Sequence, residues 1–245
     1  MTDSKILSMN SLSEKEYYEL HLQNLTPLNL KIDVDLFLNE IEMYQEFFQQ
    51  WGDVHKEFAR YALPLVNLDG KLIDDDPACW PLDRWNFVEK YPHYKNKDWT
   101  DEHVQDWKDY FKDLSIDDII NELYFKKHTP LYKKLTSVSQ KLNIFDDHLL
   151  RTCILKWDYL GHFKKHIDTL HPTKWLRLWG TTNPKGMVLR YEDKGTMIPE
   201  INIEAGRLYL HDSIRPHEAL AFDDGVYQFF IALDLESIPI IKELL

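Results

Sequence analysis

The chain reads as an α+β protein with a mainly β core of sandwich or barrel type behind a helical N-terminal half, and three features predict this. Six of its eight glycines, Gly161, Gly180, Gly186, Gly195, Gly206 and Gly225, lie between residues 161 and 225, so turns become frequent only in the final third. The segments between those glycines are short, apolar and regularly spaced, as strands of a sandwich or barrel are. Upstream of them, apolar residues recur instead at helical spacing.

The first predicted helix runs through Leu36, Glu40, Tyr44 and Phe48, with Phe37, Ile41 and Phe47 beside them, and stops at Trp51-Gly52. Arg60 to Gly70 is an apolar, strand-like run that carries the polar residues Arg60, Asn67 and Asp69. Residues 74 to 112 combine Asp74, Asp75 and Asp76 with Trp80, Trp85, Trp99 and Trp107 and show little periodicity. That stretch reads as an irregular covering segment, a packed surface insertion in preference to a substrate lid. A second helix is expected from Pro130 to Leu142, with Thr129 as N-cap, Pro130 at the first position, and Leu131, Leu135, Val138 and Leu142 on one face. Strands are expected at Leu149 to Trp157, Trp175 to Trp179, Met187 to Tyr191, Ile201 to Glu204, Arg207 to Leu210 and Val226 to Asp234. With 245 residues the chain suits one domain. It divides into a helical and irregular part at 1–148, a β core at 149–234 and a tail at 235–245.

Composition narrows the function classes. A net charge of −12 repels both a nucleic-acid backbone and an anionic membrane, so neither is an expected partner. Cys79 and Cys153 allow one disulfide at most and form no C-x-x-C pair, which points to a reducing compartment. No cationic leader and no long apolar segment is visible, and a cytoplasmic location is expected. The partner is then a small molecule or a peptide.

The chemistry concentrates in Gly161-His162-Phe163-Lys164-Lys165-His166-Ile167-Asp168. Residues two apart on an extended strand share a face, so His166 and Asp168 can aim at one point. A third ligand must come from elsewhere in the chain, and His211 and His217 are available. His217 is favoured because Pro216 and Ser213-Ile214-Arg215 place it just after a turn, and His211 is expected not to ligate. Two imidazoles and a carboxylate on one face of an octahedral ion leave its other positions open, the donor set of non-haem iron. A zinc pair from His162 and His166 lacks the glutamate of His-Glu-x-x-His, since residue 163 is Phe. Histidines that merely satisfy hydrogen bonds remain the plain alternative.

Together with Leu176-Arg177-Leu178, Glu204 to Asp212, Pro216-His217-Glu218-Ala219 and Phe230 to Asp234, this stretch resembles the Fe(II)/2-oxoglutarate oxygenases. The likeness is closest to the aspartyl/asparaginyl β-hydroxylase and free-proline hydroxylase branch and covers roughly residues 149–234. It implies a double-stranded β-helix (jelly roll) in which His166, Asp168 and His217 hold Fe(II). It also implies a hydroxylase that takes 2-oxoglutarate and dioxygen and acts on a free amino acid or a peptide side chain.

One position departs from the pattern. Where such enzymes carry an Arg for the distal carboxylate of 2-oxoglutarate, this chain has Gln228, beside Tyr227. An amide lacks the charge and the two-pronged fork of a guanidinium. Arg177, flanked by Trp175 and Trp179 on one strand face, is the expected substitute, with salt-bridging to an internal carboxylate as its plain alternative and Arg190 as next candidate. Arg60 and Asn67 are expected at the substrate. The departure at Gln228 also keeps open an inactive β-helix binding protein, and a cupin-like metal enzyme that does not use 2-oxoglutarate.

Overall fold

A computed structural model describes residues 11–50, 60–67, 70–72, 122–168 and 173–245. The expected helix stop at Trp51-Gly52, the segment 74–112, Asp69 and Cys79 lie outside the described residues. Two antiparallel sheets face one another as a double-stranded β-helix. In chain order the strands are β1 (Leu25–Lys31), β2 (Gln49–Gln50), β3 (Arg60–Asn67), β4 (Lys127–His128), β5 (Leu149–Trp157), β6 (His162–His166), β7 (Trp175–Thr181), β8 (Met187–Asp193), β9 (Thr196–Pro199), β10 (Arg207–His211), β11 (His217–Ala221) and β12 (Val226–Asp234). The larger sheet runs β1-β10-β7-β12-β5-β3-β2, with β4 paired to β3, and the smaller runs β6-β11-β8-β9.

The period-two alternation of the strands separates two interiors. On the larger sheet, Leu176, Leu178, Leu208, Leu210, Phe229 and Ile231 face outward into a core shared with the helices. The opposite face, with Leu155, Trp157, Trp179 and Val226, packs against Met187, Leu189, Tyr191, Ala219 and Ala221 of the smaller sheet. The buried arginines Arg60, Arg151 and Arg177 sit on this second side, between the sheets. That location decides where chemistry can occur.

Helices cover the outer face. These are α1 (Glu14–Leu20), α2 (Val34–Ile41), α3 (Pro130–Lys134), α4 (Thr136–Leu142) and α5 (Ile238–Leu244). The predicted 130–142 helix has Thr129 as N-cap and Pro130 in its first turn, as expected, but it breaks at Leu135 (φ −83°, ψ 80°). The Glu40 carboxylate of α2 accepts the Ser137 and Thr136 amides at 3.0 and 3.1 Å and so caps the second piece. The predicted 36–48 helix gives way after Ile41 to a 3₁₀ stretch at Glu42–Phe47, kinked at Tyr44. α1 begins with a capping box in which Ser13 and Glu16 satisfy one another's backbone amides.

Two strand expectations shift. Strand character falls at Thr196–Pro199 instead of Ile201 to Glu204, because Lys194 (φ 49°) and Gly195 (φ 83°) make a two-residue hairpin turn pairing Asp193 with Thr196. Asn202 at φ 62° then interrupts the later run. The N-terminal part is also less helical than its periodicity predicts: β1, β2 and β3 extend the larger sheet at both edges. Among the described residues no helix is long and apolar enough to cross a membrane.

Candidate metal centre

Strand register builds the site. On the smaller sheet β11 lies between β6 and β8, and His217 is paired with His166 on one side and Tyr191 on the other. Residues directly opposite on antiparallel strands place their side chains next to one another, and the His166 and His217 ring centroids are 4.3 Å apart. β6 ends at His166, and Asp168 sits in the bend beyond it, where its amide donates to Ser213 O at 2.9 Å. That bond ties the carboxylate to the β10–β11 connection, which delivers His217.

One ligand atom from each of His166, Asp168 and His217 lies within 4.8 Å of the others. Nitrogen and oxygen ligands stand about 2.0–2.2 Å from a first-row ion, so donors sharing one ion are at most ~4.4 Å apart. Neighbouring donors on one face of an octahedral ion stand ~3 Å apart, so the three side chains must draw together to share one. Ring orientation is fixed from behind: His166 Nδ1 contacts Lys164 O at 2.7 Å and His217 Nδ1 contacts Arg215 O at 2.9 Å. A carbonyl only accepts, so both Nδ1 atoms carry the proton and both Nε2 lone pairs face inward, the tautomer a metal requires.

Burial drives the His217 pKa down to about 3, with His211 adding to the effect, so the ring is neutral. Burial pushes the Asp168 carboxyl up, but contacts from His166 and His211, with His217 and Arg177 nearby, outweigh it and hold the group well below the usual carboxylate range. The site thus offers a neutral His217 imidazole and an anionic Asp168 beside His166.

His211, at the end of β10, is also here. Its Nε2 is 3.5 Å from Asp168 Oδ2, against 3.8 Å for His217 Nε2, and its ring stands 4.5 Å from that of His217. The sequence reading that set His211 aside did not foresee this. Adjacent strands β1 and β7 hold β10 in the larger sheet, and residue alternation turns Tyr209 and His211 to the inter-sheet side.

Arg177 is 2% exposed and faces the inter-sheet space. Its Nε lies 3.7 Å from Asp168 Oδ2 and its Nη2 donates to Glu122 Oε1 at 3.1 Å, while its guanidinium stacks 4.0 Å over Phe230. The internal carboxylate considered as its alternative partner therefore exists. Glu122 is shared, however: Arg151 of β5 donates to the same oxygen at 2.5 Å. Arg177 Nε and Nη1 have no hydrogen-bond acceptor among the described residues.

The remaining expected residues fall at different places. Gln228 is buried on β12, and its Oε1 accepts from Trp157 Nε1 at 3.1 Å. Since indole only donates, this fixes the amide with its NH2 turned away from Trp157. Arg60 is buried with its guanidinium 3.5 Å from the Phe163 ring, which lies 3.6 Å from that of His166. Asn67 holds a turn, donating to Lys71 O and accepting from Gly70 N, and the described contacts do not join it to the triad. Arg190 pairs with Glu218 at 2.6 Å, and Glu218 also meets His162 Nε2 at 3.1 Å.

Sequence reasoning passed over Arg151, Glu122, Trp157 and Tyr191. Arg151 had a signal: it is an isolated cation inside the otherwise apolar Leu149–Trp157 strand, the same argument that singled out Arg177. Glu122 had none.

No family model and no curated protein matches the chain. Among solved structures, a prolyl hydroxylase from Trichoplax adhaerens in complex with a hypoxia inducible factor peptide fragment is similar at 13% identity, over 90% of this chain and 87% of that one, with a TM-score of 0.44. A Pseudomonas putida prolyl-4-hydroxylase is similar at 12% identity over 88% and 95% of the two chains, with a TM-score of 0.41. A cupin protein from Desulfovibrio desulfuricans is similar at 15% identity over 35% of this chain and 72% of that one, with a TM-score of 0.25. Similarity at this level carries no argument about activity; the site itself brings together two strand-borne histidines and a bend-borne aspartate.

Proposed function

We propose that the protein is an Fe(II)/2-oxoglutarate-dependent hydroxylase acting on an amino-acid-like group, free or in a peptide. The observation that carries the reading is the convergence of His166, Asp168 and His217 ligand atoms within 4.8 Å on a double-stranded β-helix. Bound iron would supply the chemistry in which dioxygen, the oxidant, hydroxylates a C–H bond with one oxygen atom while the other goes to the 2-oxo acid as it loses CO2. The chain's own contribution is placement. His166 and His217 present fixed Nε2 lone pairs, and Asp168 stays anionic beside them.

The dicarboxylate cosubstrate meets three buried guanidiniums in the interior. Arg60, Arg151 and Arg177 are all at most 5% exposed between the sheets, with Glu122 shared by Arg151 and Arg177. Arg177, with donors to offer beside Asp168, takes the role that an Arg fills at the position of Gln228, and the Gln228 amide adds hydrogen bonding without charge. Aromatic rings of Trp157, Phe163 and Phe230 lie against the Arg60 and Arg177 guanidiniums and line this space.

Metal content of the purified protein tests the reading. After anaerobic loading, wild type should retain one Fe(II), and H166A, D168A and H217A should each lose it. Full retention in all three would sink the proposal. A second reading, a cupin-like metal enzyme using the triad without 2-oxoglutarate, is favoured by one observation, the absence of an Arg at Gln228. Iron retention with no response to 2-oxoglutarate would select it.

A further inference from the structure

We propose that the substrate is a free α-amino acid, recognised at its ammonium by the Glu122 carboxylate and at its own carboxylate by the indole N–H of Trp175. The inference rests on the hydroxylase reading above and names its substrate class. Its basis is a pair of polar atoms that the folded chain buries without a partner.

Glu122 is 2% exposed, yet only one of its carboxylate oxygens is engaged. Oε1 accepts from Arg151 Nη2 and Arg177 Nη2, whereas Oε2 has no hydrogen-bond partner among the described residues. Trp175 opens β7 two residues before Arg177, so the two side chains share the inter-sheet face. Its ring, 5% exposed, clusters with Leu150 and Ala232, and Leu123, the neighbour of Glu122, rests against that cluster. Trp175 Nε1 also has no acceptor among the described residues. A buried acceptor and a buried donor thus sit in one neighbourhood, complementary in type, without bonding to each other.

Folded chains pair nearly all such groups, because a buried polar atom without a partner has given up water for nothing. A ligand with a donor and an acceptor close together satisfies both. Charge decides which end goes where. An ionised carboxylate oxygen attracts an ammonium and repels either carboxylate of 2-oxoglutarate, so Glu122 Oε2 does not serve the cosubstrate. At the other end, an anionic carboxylate accepts from an indole N–H more strongly than a neutral peptide carbonyl does. An α-amino acid carries its ammonium and its carboxylate on the same carbon, which suits two sites this close.

Location joins this site to the chemistry. Arg177 donates to Glu122 Oε1 through Nη2 at 3.1 Å and approaches Asp168 Oδ2 through Nε at 3.7 Å. One guanidinium therefore separates the ammonium site from the aspartate of the metal centre. The side-chain carbons of an amino acid held at Glu122 then reach toward that centre, while the two arginines on Oε1 keep the Glu122 carboxylate in place.

The test is calorimetric titration of the full chain, with Co(II) and 2-oxoglutarate present, against each of the common free L-amino acids. Any that binds is compared with its N-acetyl and carboxamide forms. At least one free amino acid should bind; N-acetylation, which removes the ammonium, should weaken it about a hundredfold and amidation about tenfold. E122Q should weaken it about a hundredfold, and W175F, which removes a single donor and leaves the Glu122 ion pairs in place, about tenfold. W175F keeps the test decisive if E122Q folds poorly. An N-acetyl form that binds as well as its parent would overturn the role of Glu122. A carboxamide that does so would overturn the free amino acid in favour of a peptide N-terminus. Absence of amino-acid binding in a chain that forms the Fe(II)–2-oxoglutarate chelate would overturn this inference alone, whereas binding without that chelate would uphold the amino-acid site and sink the hydroxylase reading.

Discussion

Replacing Glu122 with Gln should destabilise the protein by about 3–5 kcal/mol. The carboxylate is 2% exposed and accepts from Arg151 at 2.5 Å and from Arg177 at 3.1 Å, both arginines being at most 5% exposed. Gln keeps the shape and removes the charge, leaving two buried guanidiniums without their shared counter-ion, and breaking a buried pair from one side costs about this much. For a chain of this size the loss corresponds to roughly 6–20 °C in melting temperature. Chemical denaturation at neutral pH, followed by tryptophan fluorescence, is the assay. The same variant gives a second reading. With Glu122 neutral, Arg177 gains affinity for an external dicarboxylate, so saturating 2-oxoglutarate with metal present should restore about 2–3 kcal/mol at a hundredfold excess over its dissociation constant. A destabilisation below 1 kcal/mol would refute the charge argument. A normal loss with no more rescue than wild type gains would remove Arg177 from the cosubstrate site.

Three other outcomes follow from the structure. Gly206 sits at φ +75° with no room for a Cβ against Ile32 O and Val34, whereas Gly195 at φ +83° has nothing within 4 Å; G195A should therefore cost only about 1 kcal/mol of backbone strain and G206A at least ~3, and equal losses in denaturation would contradict the packing. Burial lowers the His21 pKa to about 4 from 6.5, so the unfolded chain binds the proton first as pH falls; stability should drop by up to ~3 kcal/mol from pH 6.5 to 4, H21N should flatten that slope by one proton, and an unchanged slope would exclude His21. E40A should cost about 1–2 kcal/mol by uncapping α4, read as a lower denaturation midpoint, and a neutral result would show that water caps the helix equally well.

The core strands were legible because burial on both faces and glycine punctuation are local signals. Leu149 to Trp157 and Val226 to Asp234 have the bounds read from sequence. The hairpin at Lys194-Gly195 shifted β9 because a positive φ at a lysine leaves no compositional trace. β2 is too short to show periodicity, while β1 carries an alternation at Leu28, Leu30 and Ile32 that the reading passed over. His166, Asp168 and His217 were readable as spacing plus a turn, and register then brought them together. The proximity of His211 and Glu122 depends on sheet stacking and on contacts across 43 and 55 residues respectively, which no local pattern encodes.

The most direct test of the central claim is an anaerobic titration with Fe(II) and then 2-oxoglutarate, watching for the visible charge-transfer band of the iron chelate, with H166A as control. A band that saturates at one equivalent of each in wild type and is lost in H166A is the predicted result. Iron binding with no band at saturating 2-oxoglutarate would contradict it.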